Sequence, residues 1–138
     1  MKKLGVALIL GLCSSSPGLA ADKAGPEQAD PRNWPAVGRS PNDTHYSPLT
    51  EINRDTVSRL RLAWTLDLDA TSVQSTPLAV DGVVYVAVGY SIVYAVDGRS
   101  GKQLWRYDPE VTRFAGRKLR AGGGIRGLAY SKGRLYVG

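Results

Sequence analysis

The feature that most constrains the fold is a series of four short apolar runs in the second half of the chain. The runs are rich in Val, Tyr and other strand formers, and turn residues such as Asp81-Gly82 separate them. We expect strands at Thr76–Val80, Val83–Val88, Ile92–Val96 and Gln103–Tyr107. Because the connections are short, the sequence predicts that successive strands pair as one four-stranded antiparallel meander.

The beginning of this pattern recurs near the end of the chain. Residues 78–86 are similar to residues 128–137, with one residue inserted before the glycine, so that Gly82 and Gly133 stand 51 positions apart. A repeat of this length with about four strands per unit is typical of a propeller blade. We therefore expect an all-β chain of about one and a half blades. Since blades need neighbours to cover their faces, we interpret it as the N-terminal piece of a longer protein.

The residues before these strands are less regular. Residues 21 to 50 contain many prolines and no periodic apolar segment, which favours an extended irregular chain. Asn53 to Leu60 offers a polar cap and spaced apolar residues, enough for one or two helical turns. From Leu60 to Leu68 apolar residues alternate with others, which predicts a further half-buried strand.

The first twenty residues are typical of an export signal. Lys2 and Lys3 precede an apolar run from Leu4 to Leu12, and small residues lead to Ala20. We expect cleavage after Ala20, which leaves residues 21–138 as the mature domain. The run is much shorter than the roughly 20 apolar residues of a membrane-spanning helix. Cys13 follows the bulky Leu12, which argues against lipid attachment.

Charge and residue counts give little support to several other functions. The chain has 18 Lys and Arg against 12 Asp and Glu, a net charge of +6, and its basic residues are scattered. The tightest basic group, between Arg113 and Arg120, lacks the interleaved aromatic residues of a single-strand binder and is interpreted as a solvated loop. His45 is the only histidine and has no nucleophile partner nearby, and a Cys/His metal site is excluded by count.

The turn after the third predicted strand carries a recognisable motif. Residues 95–105, Ala-Val-Asp-Gly-Arg-Ser-Gly-Lys-Gln-Leu-Trp, resemble the tryptophan-docking motif of quinoprotein propellers, Ala-x-Asp-x-x-Thr-Gly-Lys-x-x-Trp, with Ser100 in place of Thr. Gly101 permits a positive φ, Asp97 bonds the amides of the turn, and Trp105 presents an apolar plate to a neighbouring blade. These roles are structural rather than catalytic.

The region before the motif resembles the N-terminal signature of PQQ-dependent alcohol dehydrogenases. The matching residues, in order and spacing, are Trp34-Pro35, Gly38-Arg39, His45-Tyr46-Ser47-Pro48-Leu49, Ile52-Asn53 and Leu62-Ala63-Trp64. The resemblance implies an eight-bladed periplasmic propeller that holds pyrroloquinoline quinone (PQQ) with a calcium or lanthanide ion. Such an enzyme oxidises an alcohol by hydride transfer to the quinone and passes electrons to cytochrome c or a quinone. It also implies metal ligands and a catalytic Asp beyond Gly138, so we assign no catalytic or metal residue here and expect the chain alone to be inactive.

Two cofactor contacts of the family fall inside the chain. Arg126 matches an arginine that pairs with a PQQ carboxylate, a contact that suits a planar guanidinium, and its other interpretation is a surface arginine. Gln74 stands where a glutamate is usual, in a segment one residue shorter than in the family. We expect an amide there to keep a hydrogen bond to the cofactor without the charge.

One departure and two alternative interpretations stand beside this resemblance. Arg120 and Ala121 occupy the positions where methanol and ethanol dehydrogenases often carry adjacent cysteines against the quinone, which indicates a divergent branch. The glycines at 122–124 either let the backbone approach a flat ring or form a flexible loop. The alternatives are a non-enzymatic propeller that binds proteins of the cell envelope and a decayed gene, and downstream sequence would discriminate among them.

Overall fold

A four-stranded antiparallel sheet lies at the centre of the structure, a computed structural model that describes residues 29–69, 72–119 and 123–138. Its strands pair in sequence order as β1 (Leu78–Val80), β2 (Val83–Val88), β3 (Ile92–Asp97) and β4 (Gln103–Tyr107). The predicted meander is confirmed. β1 begins two residues later than predicted, because Pro77 lacks the N–H that a ladder hydrogen bond requires.

The two central strands are covered on both faces, and their alternating side chains form two separate apolar clusters. The first, here called the hairpin-side cluster, contains Leu78, Ala87, Val93, Ile125 and Leu128. The second, the Trp64-side cluster, contains Val88, Tyr94 and Val96, with Trp64, Leu66 and Leu68 packed against it. The sheet is therefore the middle of three layers.

A second hairpin forms the layer over the hairpin-side cluster. Strands β5 (Leu128–Ser131) and β6 (Arg134–Val137) pair antiparallel as a separate two-stranded sheet. Like the β1–β2 connection, the turn has two residues in the left-handed region, with φ of 50° at Lys132 and 75° at Gly133. The inserted residue lengthens the ladder from three residue pairs to four and leaves the turn unchanged. The internal repeat predicted from sequence is thus a repeated hairpin.

The segment from Leu60 to Leu68 forms the layer on the opposite face, and the predicted strand there is wrong. The predicted apolar side is confirmed for Trp64, Leu66 and Leu68, which are half-buried while the residues between them are exposed. It is wrong for Leu60 and Leu62, which are 54% and 81% exposed. The segment joins neither of the two described sheets. Its side chains lie on the face of the central sheet, whereas pairing requires a strand edge beside it, and periodicity alone does not distinguish the two arrangements.

The preceding region is irregular, as predicted, over the part that the structure describes. Trp34 forms an isolated antiparallel bridge with Ala79 on the edge of β1 through hydrogen bonds of 2.6 and 3.0 Å. Asn33, which is 4% exposed, exchanges hydrogen bonds of 2.9 and 3.1 Å with the backbone N–H and carboxylate of Asp81. These contacts attach the N-terminal segment to the free edge of the sheet.

The predicted helix at Asn53 to Leu60 is reduced to one 3₁₀ turn, Val57–Arg59. The predicted Asn53 cap is wrong: the N-cap is Thr56, which forms no side-chain cap hydrogen bond. Asn53 instead stabilises the turn before it, where its Oδ1 accepts hydrogen bonds from the amides of Asp55 and Thr56 at 2.9 and 3.2 Å. The turn contains no buried residue, so no apolar contact offsets the cost of a longer helix.

A short helix that the sequence did not predict follows β4. Helix α1 (Val111–Ala115) is continued by a 3₁₀ turn at Gly116–Lys118. It carries part of the basic group that was interpreted as a loop, and Arg113 pairs with Glu110 at 2.7 Å with 72% of its side chain exposed. Arg113 is exposed to solvent, as predicted, but it lies in a helix rather than in the predicted loop. No helix of the described ranges is long and apolar enough to cross a bilayer. The predicted signal peptide, Cys13, Arg120, Ala121 and Gly122 lie outside those ranges.

Candidate functional site

The connection between β2 and β3 is the point at which the segments bearing the two predicted cofactor contacts meet. It is a three-residue turn, Gly89–Ser91, here called the Tyr90 turn. The amide of Gly89 donates to the carbonyl of Ser72 at 3.0 Å, and the amide of Tyr90 donates to the carbonyl of Gly123 at 2.5 Å. Two chain segments far apart in sequence are therefore hydrogen-bonded to adjacent residues of one turn.

The first of these segments carries Gln74. Ser72 is bonded to the Tyr90 turn, and the hydroxyl of Ser75 donates to the carbonyl of Ala87 at 2.5 Å. The chain is thus hydrogen-bonded on both sides of Gln74, to the Tyr90 turn through Ser72 and to β2 through Ser75. Gln74 itself is exposed, and none of the hydrogen bonds among the described residues uses its amide.

The second segment carries Arg126. Gly123 is bonded to the Tyr90 turn, and Ile125 is 5% exposed in the hairpin-side cluster, so two nearby residues fix the path of the chain. Arg126 is exposed and forms no hydrogen bond or ion pair with any described residue. Arg106, in contrast, is already engaged by the Tyr94 hydroxyl at 3.3 Å and by Asp108 at 2.9 Å. The guanidinium of Arg126 is therefore available to an external anion.

Close packing against Tyr90 explains why residue 123 is a glycine. A Cβ built there would lie 2.3 Å from a ring carbon of Tyr90, far closer than real contacts permit, and its φ of +25° disfavours other residues as well. Of the two interpretations of the glycine run, the described part favours close packing at Gly123. The partner in that packing is the Tyr90 ring.

The remaining polar residues that the structure describes form no second site near this turn. Among the described residues, no cluster of three or more His, Cys, Asp and Glu side chains could hold a metal ion. His45 lies 3.3 Å from the Asp43 carboxylate, with both side chains more than half exposed, and neither belongs to the region around the Tyr90 turn. The structure therefore brings together the segments of Gln74 and Arg126 and adds no metal ligands to them.

The docking motif is a structural element whose partner was missed in the sequence. Oδ1 of Asp97 accepts hydrogen bonds from the amide and hydroxyl of Ser100 at 2.7 and 2.6 Å and from the amide of Arg99 at 3.2 Å. These bonds, that of the Ser100 hydroxyl above all, lower the pKa of Asp97. The indole of Trp64 donates to the carbonyl of Gly98 at 3.0 Å and covers Gly101, where a Cβ would lie 2.7 Å from the ring.

The docked tryptophan is thus Trp64, which precedes the motif, and not Trp105 within it. A sequence signal existed, because Trp-x-x-Asp occurs both at 64–67 and at 105–108. Each tryptophan therefore ends a similar segment. This arrangement, with a meander, a docking turn that receives a tryptophan from outside its own sheet, and a second hairpin stacked on the first, defines the blade of a quinoprotein β-propeller.

The comparison with known families agrees with this class. The chain belongs to the PQQ family described as glucose/ethanol/alcohol dehydrogenase, beta-propeller domain, which matches residues 34–135. The resemblance to quinoprotein dehydrogenases and the propeller fold predicted from the sequence are confirmed.

Relatives of known activity are much longer than this chain. A quinohemoprotein alcohol dehydrogenase, ADH-IIG of Pseudomonas putida, is 40% identical over the whole chain, which covers 20% of that enzyme. A 1-butanol dehydrogenase (cytochrome c) of Thauera butanivorans is 43% identical over 76% of the chain and 15% of its own length. The chain thus spans about a fifth or less of the relatives that it matches.

Solved structures show the same likeness in three dimensions. The quinohemoprotein alcohol dehydrogenase of Comamonas testosteroni superposes with a TM-score of 0.69 at 42% identity, over 78% of this chain and 16% of that one. A europium-containing methanol dehydrogenase superposes with a TM-score of 0.66 at 32% identity, over 80% of this chain and 20% of that one. This chain therefore has the fold of a segment of these dehydrogenases.

Proposed function

We propose that this chain is the N-terminal part of an exported PQQ-dependent alcohol dehydrogenase, with an eight-bladed propeller, in which Arg126 and Gln74 contact the cofactor. The observation that carries the proposal is the convergence of their two segments on the Tyr90 turn. Relatives named as alcohol dehydrogenases support the reaction class. The alcohol itself is left open.

The chemistry of these two side chains fits the cofactor. PQQ carries three carboxylates and, when bound, supplies the quinone that accepts a hydride from the alcohol. Arg126 offers an exposed guanidinium that no described residue engages, and a guanidinium binds a carboxylate through two parallel hydrogen bonds. Gln74 offers an amide, which adds a hydrogen bond without charge. The part of this chain is to bind and orient the cofactor.

The remaining components of the enzyme are assigned beyond this chain. We propose that a calcium or lanthanide ion is held by residues after Gly138, a choice supported by the likeness to the europium-containing enzyme. Cytochrome c or a quinone is the proposed electron acceptor, and the Thauera relative named for cytochrome c supports the first. The chain alone is expected to bind no PQQ tightly and to oxidise no alcohol.

Export follows from the N-terminal sequence. The mature periplasmic protein should begin at Ala21, and N-terminal sequencing of protein recovered from the periplasm tests this. Retention of Met1, or a lipidated Cys13 as the first residue, would contradict it.

The cofactor assignment is tested by titrating the full-length apo-enzyme with PQQ and metal. We expect Arg126→Ala to weaken PQQ binding at least about tenfold, or roughly 1.4 kcal/mol, because a buried cofactor carboxylate would lose its cationic partner. Arg134→Ala is the matched control, since Arg134 is also an exposed arginine but lies on β6. Gln74→Glu should leave affinity within a few fold.

Three outcomes separate the interpretations. Unchanged affinity in Arg126→Ala would make this arginine a surface residue and remove the cofactor assignment. An equal loss in Arg134→Ala would indicate a general electrostatic effect. A full-length protein that binds no PQQ at all would favour the envelope-binding scaffold or a decayed gene.

A further inference from the structure

The Tyr90 turn has a backbone conformation that is unusual for its residue types. Tyr90 has φ of 63° and ψ of 29°, and Ser91 has φ of 61°, so two residues other than glycine lie in the left-handed region. Glycine adopts this region without steric cost, whereas a tyrosine there is uncommon. The side chain of Tyr90 should therefore contribute something that compensates for an unfavourable backbone.

The contribution of that side chain is visible at Gly123. Three ring atoms of Tyr90 lie 2.3 to 2.9 Å from the position of a Cβ on Gly123, so the ring is packed directly against the bare backbone of the loop. The amide of Tyr90 holds the carbonyl of the same glycine. The Tyr90 hydroxyl forms no hydrogen bond with the described residues, so the shape of the ring is what matters. One residue thus fixes Gly123 by its backbone and by its side chain.

The neighbouring residue of the turn fixes the other segment. The carbonyls of Ser72 and Gly123 each lie 3.6 Å from a Cβ built on Gly89, so both segments approach the same buried glycine. The separation between the two segments is therefore set by this turn. Gln74 and Arg126 follow the two fixed points by two and three residues.

We propose that Tyr90 is a positioning residue for the cofactor contact of Arg126, a proposal that rests on the proposed function. Gly123 and Gly124 have no side chains to restrict their backbone, and ordering such a segment on binding would cost conformational entropy. With Gly123 held by Tyr90 and Ile125 held in the core, that cost is met during folding, and Arg126 is presented in a fixed place. Tyr90 contacts no cofactor in this scheme and acts through the loop.

A double-mutant cycle in the full-length apo-enzyme tests the proposal, with PQQ affinity as the readout. Tyr90→Gly keeps the backbone amide, permits the left-handed conformation and removes the ring. We expect it to weaken PQQ binding about five- to tenfold, while Tyr90→Phe, which restores the ring, binds as the wild type does. In an Arg126→Ala background, Tyr90→Gly should change affinity less than about twofold, because the residue that it positions is gone.

The same experiment distinguishes the ways in which the proposal can fail. Unchanged affinity in Tyr90→Gly, or an equal loss with and without Arg126, overturns the positioning role and leaves the cofactor assignment of Arg126 intact. Unchanged affinity in Arg126→Ala overturns both. If Tyr90→Gly does not fold, Gly123→Ala displaces the loop from its other side and should weaken PQQ binding in the same Arg126-dependent way. A loss in Gly123→Ala that is independent of Arg126 contradicts the proposal.

Discussion

Trp64 and Trp105 stand in similar sequence surroundings and differ in what covers them. Trp64 donates to the carbonyl of Gly98 and lies against Gly101. Trp105 is 43% exposed, and its nearest aromatic partner is Tyr85, with ring centroids 6.0 Å apart. In the docking that the structure shows, the tryptophan comes from outside the sheet that carries the turn. No docking turn among the described residues receives Trp105.

The surroundings of Trp105 agree with this interpretation. An open apolar groove of about 510 Å³ lies beside it, lined also by Val93, Tyr107, Leu135 and Val137. The β5–β6 hairpin contacts β1, and all five residues of the outer strand β4 are exposed. In the longer dehydrogenase that we propose, the outer strands and docking turn of the second unit would fill the groove.

Gly101→Ala should produce the largest loss of stability. The new Cβ would meet the Trp64 ring at 2.7 Å, in addition to the strain of φ +73°. We expect a destabilisation of about 3 kcal/mol or more, measured as a shift in the urea midpoint of the full-length protein. Gly133→Ala is a close control, because Gly133 has φ of +75° and nothing within 4 Å of the added Cβ. Strain alone should cost about 1 kcal/mol there. Equal losses at the two glycines would mean that the contact with Trp64 contributes nothing.

Trp64→Ala should be the next largest change. Removing the indole uncovers the Trp64-side cluster and leaves the Gly98 carbonyl without its donor, for an expected loss of about 2–3 kcal/mol. Trp64→Phe retains most of the apolar cover and should lose only about 1 kcal/mol with the hydrogen bond. The same urea midpoints measure both. A phenylalanine variant as unstable as the alanine variant would show that the hydrogen bond, not the cover, dominates.

Trp105→Ala sharpens the comparison, because its effect depends on the following unit. In the full-length protein we expect a loss of about 2 kcal/mol, similar to that of Trp64→Ala, since a second docking turn covers the indole there. The exposure of Trp105 in the 138-residue chain by itself is checked separately. In a Trp34→Phe/Trp64→Phe variant of that chain, Trp105 is the remaining tryptophan, and acrylamide quenching of its fluorescence measures its exposure. A near-neutral Trp105→Ala variant would contradict the idea that the two tryptophans have equivalent roles.

Replacing Asp97 should have the smallest effect on stability, and this effect should depend on pH. Its pKa is lowered by the hydrogen bonds from Ser100 and Arg99, so its contribution to stability is complete above the pKa of the unfolded chain, about 3.9. That contribution is lost as the pH falls through the lower pKa of the folded state. We expect the difference in melting temperature between wild type and Asp97→Asn to shrink between pH 5 and pH 2. A difference that stays constant over this range would show that the charge of Asp97 is not what stabilises the turn.

Strand positions could be predicted from sequence because local patterns determine them. The bounds of β2 and β4 follow from Val- and Tyr-rich runs between turn residues. The role of Leu60 to Leu68 could not, since alternation reports an apolar side and not the presence of a pairing edge. The positive φ of Tyr90 could not either, because tyrosine rarely adopts this region and its partner Gly123 is distant in sequence. Arg126 and Gln74 were indicated by resemblance alone, and they remain predictions.

The bridge between Trp34 and Ala79 has a consequence for solubility. β1 is an edge strand, and unpaired edges recruit other chains into aggregates. The backbone N–H and carbonyl of Ala79 on that edge are hydrogen-bonded to Trp34. The N–H and carboxylate of Asp81, which follows β1, are hydrogen-bonded to the side chain of Asn33. The opposite edge, β4, has no such cover among the described residues, and all five of its residues are exposed. Association of this chain with other copies should therefore be directional. A second chain should pair with the open edge at β4, and pairing at β1 should be blocked.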